Sequence, residues 1–167
     1  MGQLYGEITL SRLFLGSGGG GGGAPAGTFG GGGGNGGGIL FIAVDDIFFD
    51  GSISANGQAT GSRSGAGDGG AGSGGSIRIE GNTIQNISSV LAEGGTTTGE
   101  GGAGGVGRIA VYYSDSFAGS FSPNYLERND PESPMIDSLF NSSLEKGDLS
   151  EWDNSYVGNG DLAGRLV

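Results

Sequence analysis

Short stretches of alternating apolar and polar residues recur along the middle of the chain. In residues 76–80, SIRIE, Ile77 and Ile79 alternate with polar neighbours, which is the period of a half-buried β-strand. Residues 40–57, LFIAVDDIFFDGSISANG, align with residues 77–94, IRIEGNTIQNISSVLAEG. The aligned pairs are Leu40 with Ile77, Ile42 with Ile79, Ile47 with Ile84, Ile53 with Val90, Ala55 with Ala92 and Gly57 with Gly94.

Two further copies of this unit are weaker. In residues 108–125, Ile109 and Val111 match Ile77 and Ile79, and residues 5–19 resemble a partial fourth copy. Each copy predicts strand, turn, strand, and the expected turns are Asp45-Asp46, Gly81-Asn82 and Ser114-Asp115. Stacked units of this kind predict an all-β fold built as a parallel β-solenoid, with a β-sandwich as the alternative.

Glycine-rich excursions lie beside these units at residues 16–38, 57–75 and 94–107. Glycine is 42 of 167 residues, and 16 of the 23 residues in the first excursion are glycine. Ordering those glycines costs about 8–16 kcal/mol more than ordering alanines, so an ordered excursion needs compensation at every residue. Mobile loops are therefore the alternative to an ordered excursion.

Polyglycine II helices would supply that compensation. This extended left-handed helix has three residues per turn and directs its N–H and C=O groups outward, so bare helices can hydrogen-bond to one another. In the first excursion, residues 24–29, APAGTF, predict a turn between two antiparallel helices at 18–23 and 30–38. The glycines expected to carry the packing are Gly18, Gly20, Gly22, Gly31, Gly33 and Gly37.

Composition changes after about residue 125. The sequence predicts a glycine-rich β-repeat domain at 1–125, a proline-containing linker at 126–136 and an acidic tail at 137–167. The tail is interpreted as an incomplete β-sandwich module or a cap, and its Trp152 as a packing or self-assembly residue.

The charge and the missing residue types exclude several functions. A net charge of −11 argues against nucleic-acid binding. With no cysteine and no histidine, the usual zinc sites, disulfides and histidine bases are absent, and we expect no cofactor. No apolar run is long enough to span a membrane. The first residues lack the features of a signal peptide, so an export signal would lie outside this chain.

Candidate chemistry is sparse. Asp45, Asp46 and Asp50, with an arginine such as Arg63, Arg78 or Arg108, would suit a β-helix polysaccharide lyase, although turn aspartates are the preferred interpretation. Asp68 and Asp161 stand in strings similar to calcium-binding repeats but lack their spacing, and we interpret them as turn residues. We interpret the aromatic residues mainly as core, with sugar or partner binding as the alternative; they are Phe41, Phe48, Phe49, Tyr112, Tyr113, Phe117, Phe121 and Tyr125.

The strings GGSIRIEGNTI, SSVLAEGG and GGVGRIAVYY resemble glycine-rich bacterial surface proteins, and the coils resemble the right-handed β-helix of filamentous-haemagglutinin-type adhesins. The long glycine runs are similar to the polyglycine sandwiches of some phage tail-fibre adhesins and certain antifreeze proteins, and to the glycine-rich region of some receptor kinases. In the tail, LEKGDLSEW resembles the start of a secreted bacterial β-sandwich module, with Lys146 replacing its serine.

These resemblances imply an extracellular or cell-surface location, of bacterial or phage origin, and transfer no catalytic residue. We therefore expect a non-enzymatic structural protein, a surface, matrix or filament subunit that forms homo-oligomers through strand edges and polyglycine packing. The alternatives are an adhesin or module that binds polysaccharide or ice and, less favoured, the lyase. Thr96, Thr97 and Thr98 suggest ice binding but do not repeat in every coil.

Overall fold

The computed structural model describes residues 7–61, 67–97, 99–123 and 125–129. All of them belong to the first of the two units into which the chain divides, Met1–Ser133. These described residues contain strands and no helix. The strands are β1 (Ile39–Ala43), β2 (Asp46–Ser54), β3 (Ser76–Leu91), β4 (Arg108–Ser122) and β5 (Leu126–Asn129).

The strands form one sheet in which β3 is central. Both β1 and β2 pair with one side of β3, β4 pairs with its other side, and β5 pairs with β4. Every one of these pairings is parallel, so the alternative of an antiparallel sandwich is wrong for the described residues. Parallel neighbours need long crossovers. Here residues 55–75 and 92–107, the glycine-rich excursions, provide them.

The sheet register confirms the sequence alignment. Leu40 pairs with Ile77 and Ile42 with Ile79 in the β1–β3 ladder. The β2–β3 ladder pairs Ile47 with Ile84 and Ile53 with Val90, and the β3–β4 ladder pairs Ile77 with Ile109 and Ile79 with Val111. Matching apolar residues therefore stack on one another from strand to strand.

One of the three predicted turns interrupts a strand, and the other two do not. The chain bends at Asp45, between β1 and β2. By contrast, β3 continues through Gly81-Asn82 and β4 through Ser114-Asp115, so neither predicted turn ends its strand. The β3–β4 register shifts between Gly81 and Thr83 instead. An extra residue in a ladder is absorbed as a bulge, which bends the strand without ending it.

Strand β4 must fold back on itself. A straight strand would place Ser122 about 40 Å from Ala110. Leu126 nevertheless pairs with Ala110, and the chain from Ser122 to Leu126 spans at most about 14 Å. The Tyr113 and Phe117 rings stack with centroids 5.4 Å apart, where a straight strand would separate these positions by about 13 Å. Phe117 and Phe121, also four residues apart, have ring centroids 5.2 Å apart, so β4 bends on both sides of Phe117.

The main core lies on the inner side of these bent strands. Residues from both halves of β3, Ile77 and Ile79 in the first and Ile84, Ile87 and Val90 in the second, belong to one apolar cluster. Ile109 and Val111 extend it into β4, and Ala55 and Ala92 extend it to the start of the two crossovers. The core and the glycine-rich crossovers are thus continuous.

Residues 7–15 pack on the outer face of β3 and β4 and contain no strand, so the expected fourth copy is wrong for its described part. Leu10 is buried against Ala110 and Tyr112. The Tyr112 hydroxyl donates to the Thr9 carbonyl at 2.6 Å, and Arg78 donates to the Leu10 carbonyl at 2.8 Å. These hydrogen bonds hold the segment across the sheet, where it covers apolar side chains instead of pairing with the sheet as another strand.

We expect Ile79→Ala to lower the free energy of unfolding by about 2–5 kcal/mol, because Ile79 is fully buried and truncation leaves a cavity. The matched control is Ile8→Ala, at a side chain that is 55% exposed, where the change should stay within about 0.5 kcal/mol. Urea denaturation of the full chain measures both. Equal effects of the two substitutions would contradict the assignment of Ile79 to the core.

Candidate functional site: the glycine tracts

Six extended tracts lie beside the sheet in the described residues. We number them in chain order as tract 1 (16–23), tract 2 (30–38), tract 3 (55–61), tract 4 (67–75), tract 5 (92–97) and tract 6 (101–107). Between tracts 1 and 2 the chain turns at residues 26–27, where Gly27 has a φ of +82°. The Thr28 N–H and hydroxyl both donate to the Pro25 carbonyl there, at 3.1 and 2.8 Å.

Tracts 1, 2 and 4 form a closed triangle of backbone hydrogen bonds, each with N···O distances of 2.8–2.9 Å. Tract 1 donates to tract 2, tract 2 donates to tract 4, and tract 4 donates back to tract 1. On each side of the triangle the donors recur at every third residue. From tract 1 to tract 2, Gly16, Gly19 and Gly22 donate to Gly37, Gly34 and Gly31. From tract 2 to tract 4, Gly31, Gly34 and Gly37 donate to Gly67, Gly70 and Ser73. From tract 4 to tract 1, Gly67, Gly70 and Ser73 donate to Gly23, Gly20 and Ser17.

A second triangle shares the side between tracts 2 and 4. Tract 3 donates to tract 2 from Gln58 and Gly61, and tract 4 donates to tract 3 from Gly72 and Gly75. Tracts 5 and 6 extend the network, since Ala71 and Gly74 of tract 4 donate to tract 6. Gly104 in turn donates to Gly95 of tract 5. All six tracts are therefore joined laterally by main-chain groups.

The tracts pack so closely that a side chain has no room at certain positions, and these positions also recur at every third residue. A Cβ at Gly30, Gly33 or Gly36 would overlap a carbonyl of tract 1, and a Cβ at Gly31, Gly34 or Gly37 would overlap a carbonyl of tract 3. Gly32 and Gly38 have no atom within 4 Å of a Cβ. Two faces of tract 2 are thus closed to side chains, and the third is open.

The non-glycine residues within tracts 1 and 2 lie on the open faces. Asn35 is three residues from both Gly32 and Gly38, and Ser17 is three residues from Gly20, another position where a Cβ meets nothing. Within tracts 1 and 2, the sequence therefore carries side chains only at positions where the packing leaves room for them.

The six glycines that the sequence predicts to carry the packing differ in how much space surrounds them. Gly22, Gly31, Gly33 and Gly37 stand where a Cβ would overlap a neighbouring backbone. A Cβ at Gly18 would be 3.5 Å from the Gly34 oxygen, an ordinary contact. Gly20 is open on its Cβ side and takes part through its carbonyl, which accepts from Gly70. Trp152 lies outside the described residues.

An aromatic cluster lies along β4 next to β5. Phe121 and Tyr125 have ring centroids 4.6 Å apart, and Phe117 contacts both at 5.2 and 6.0 Å. Glu127 joins two tyrosines, accepting from the Tyr113 hydroxyl at 2.9 Å and the Tyr125 hydroxyl at 3.2 Å. The hydrogen bond to Glu127 raises the pKa of Tyr113, with a smaller effect of burial. Burial raises the pKa of Tyr125, and Glu127 adds to it.

Three of the residues considered for lyase chemistry, Arg78, Asp45 and Asp50, are engaged in structural contacts. Arg78 forms an ion pair with Glu80, and its guanidinium lies 4.7 Å from the Tyr112 ring centroid. Asp45 accepts from the Asn82 side chain, and Asp50 accepts from Ser88 at 3.2 Å. Arg63 lies outside the described residues. Where the structure is described, no three acidic side chains converge to hold a metal ion.

The remaining candidates divide between the tracts and the undescribed regions. Asp68 lies in tract 4, and its carboxylate accepts from the Glu100 N–H at 3.0 Å. Thr96 and Thr97 belong to tract 5. Asp161 and Thr98 lie outside the described residues.

No protein-family model, curated protein or solved structure matches this chain. Among the residues that the structure describes, there is no helix with the length and apolar character needed to cross a membrane.

We expect Gly22→Ala and Gly20→Ala to change stability in opposite directions. At Gly22 the new methyl group would overlap the Gly67 carbonyl, so the free energy of unfolding should fall by about 1–3 kcal/mol. At Gly20 nothing lies within 4 Å, so alanine should raise it by up to about 1 kcal/mol by restricting the unfolded chain. Urea denaturation measures both. Mobile tracts would give the two variants the same response.

We also expect Glu127→Gln to lower the pKa of Tyr113 and Tyr125 toward the ordinary tyrosine value, because the substitution removes the carboxylate that stabilises both protonated hydroxyls. Tyrosine absorbance during an alkaline titration measures the change. Asp115→Asn removes a carboxylate from β4 itself and serves as the control. If both substitutions shift the titration alike, Glu127 is not the specific partner.

Proposed function

We propose that the chain is a non-enzymatic structural protein of a cell surface or extracellular matrix, whose rigid body joins neighbouring chains through strand edges. In this proposal the tracts are polyglycine II helices, and the strand units are coils of a parallel β-solenoid. A helix with three residues per turn returns its N–H groups to the same side at every third residue, which is the observed spacing between tracts.

The observation that carries the proposal is the cyclic triangle of tracts 1, 2 and 4. A flexible linker or a ligand-binding loop has no need of backbone groups joined on several sides. The network instead makes the crossovers as fixed as the strands, since Gly75, which donates to Ala55, directly precedes β3. A body joined in this way can transmit force and hold a fixed spacing, which suits a structural component.

Two strand edges support assembly. The outer sides of β1 and β2 pair with no described strand, and β5 pairs only with residues 110–113, which leaves the second half of β4 uncovered by described residues. Unpaired strand edges favour pairing with another chain. Filament or matrix subunits use such edges, and we assign self-association of this protein to at least one of the two.

We expect the purified full chain to form concentration-dependent assemblies, visible by negative-stain electron microscopy and as faster boundaries in sedimentation velocity. The reason is that association pairs the edge N–H and C=O groups and buries the half-exposed aromatic residues beside them.

Monomers at every concentration would contradict the structural proposal. Monomers that bind sugars on a glycan array would instead favour an adhesin, the second candidate. The Phe117, Phe121 and Tyr125 cluster supports that candidate, because aromatic faces beside a carboxylate suit sugar recognition.

A further inference from the structure

We infer that the edge formed by β1 and β2 binds an extended segment of a partner protein in which apolar residues alternate with lysine or arginine. We refer to residues 39–54 as the first edge. The inference goes beyond the proposed function, because it assigns a different partner to one of the two edges.

Within the described part of the chain, the outer backbone of the first edge is left for strand addition. β1 and β2 use one side to pair with β3, and no described strand pairs with their other side. The segment of residues 7–15, which precedes the sheet in the chain, packs on its outer face and leaves this edge uncovered. A partner strand would therefore gain main-chain hydrogen bonds along β1 and β2.

Apolar side chains are exposed along the same edge. Phe48 is 76% exposed, and Ile39, Phe41, Val44 and Phe49 are also exposed. Inward-facing Leu40, Ile42 and Ile53 are half-buried against the main core. A strand laid on this edge would complete the cover over the half-buried inward-facing residues, so the partner's inward-facing positions, which alternate along its strand, should be apolar. The aliphatic stems of lysine or arginine at its outward-facing positions would lie beside the exposed rings.

The negative charge of the first edge favours lysine or arginine at the remaining positions of the partner strand. Residues 39–54 contain three aspartates, Asp45, Asp46 and Asp50, and no lysine or arginine. All three are exposed. Pairing two first edges from two copies would bring these aspartates together in a chain that already carries a net charge of −11. A cationic strand is the complementary partner of the first edge, and the first edge of a second copy is not.

The test uses the full chain and two labelled synthetic decapeptides, one alternating valine with lysine and the other alternating valine with glutamate. Fluorescence anisotropy should show the lysine peptide binding roughly tenfold or more tightly than the glutamate peptide, with the preference reduced at high ionic strength. Equal binding, or binding of neither peptide, would overturn the inference.

Variants locate the binding. Phe48→Lys places a cation on the first edge and should weaken the lysine peptide by about tenfold, and Asp46→Asn should weaken it by a smaller factor. Phe29→Lys is the matched control, since Phe29 is 77% exposed but lies in the turn between tracts 1 and 2. If Phe29→Lys weakens binding as much as Phe48→Lys, the peptide binds elsewhere and the inference fails.

Sedimentation of the same samples reports self-assembly separately. Assembly that persists while the lysine peptide fails to bind would overturn only this inference. Binding of the lysine peptide by a chain that stays monomeric would support it and contradict the self-association proposed above. Release of the lysine peptide at chain concentrations where sedimentation shows assembly would assign the first edge to copies of the protein and overturn the inference.

Discussion

The structure depends on hydrogen bonds between main chains that carry no side chains where they meet. Tract 2 shows the constraint most directly. Its N–H groups donate to tract 4, and its carbonyls accept from tracts 1 and 3 and from Ser76 of β3. Two of its three faces admit no Cβ. Side chains would hold the backbones too far apart for these bonds. Glycine, usually a source of disorder because it is costly to fix, is here the condition for order.

The sheet and the tracts depend on each other. Parallel strands require crossovers, and tracts 3 to 6 form the crossovers in the described residues, which meet the strands at Ala55, Ser76, Ala92 and Arg108. The Arg108 N–H donates to the Gly75 carbonyl at 2.9 Å, so main-chain pairing passes from tract to strand without a break. The buried ladder of isoleucine and valine fixes the strand register, and that register also sets which glycines face one another.

Much of this architecture is readable from the sequence, because its signals are local or repeated. The alignment of Leu40 with Ile77 predicts a rung of the ladder, and residues 24–29 predict the turn between two antiparallel tracts. Other features have no such signal. Identical glycines do not reveal which tract pairs with which, and Gly81-Asn82 resembles a turn although β3 continues through it and the extra residue of the β3–β4 ladder lies on β4. Packing of Leu10 on Ala110 and Tyr112 depends on a distant surface that no local pattern specifies.

Amide hydrogen exchange of residues 16–38 in the full chain tests the central claim most directly, because it reports whether the tract N–H groups are bonded in solution. Strong protection should fall on the donors at every third position, Gly16, Gly19 and Gly22 in tract 1 and Gly31, Gly34 and Gly37 in tract 2. Exchange at the rate of an unfolded chain at all six of these glycines would show that the tract N–H groups are not hydrogen-bonded in solution, which would contradict the main-chain network between the tracts.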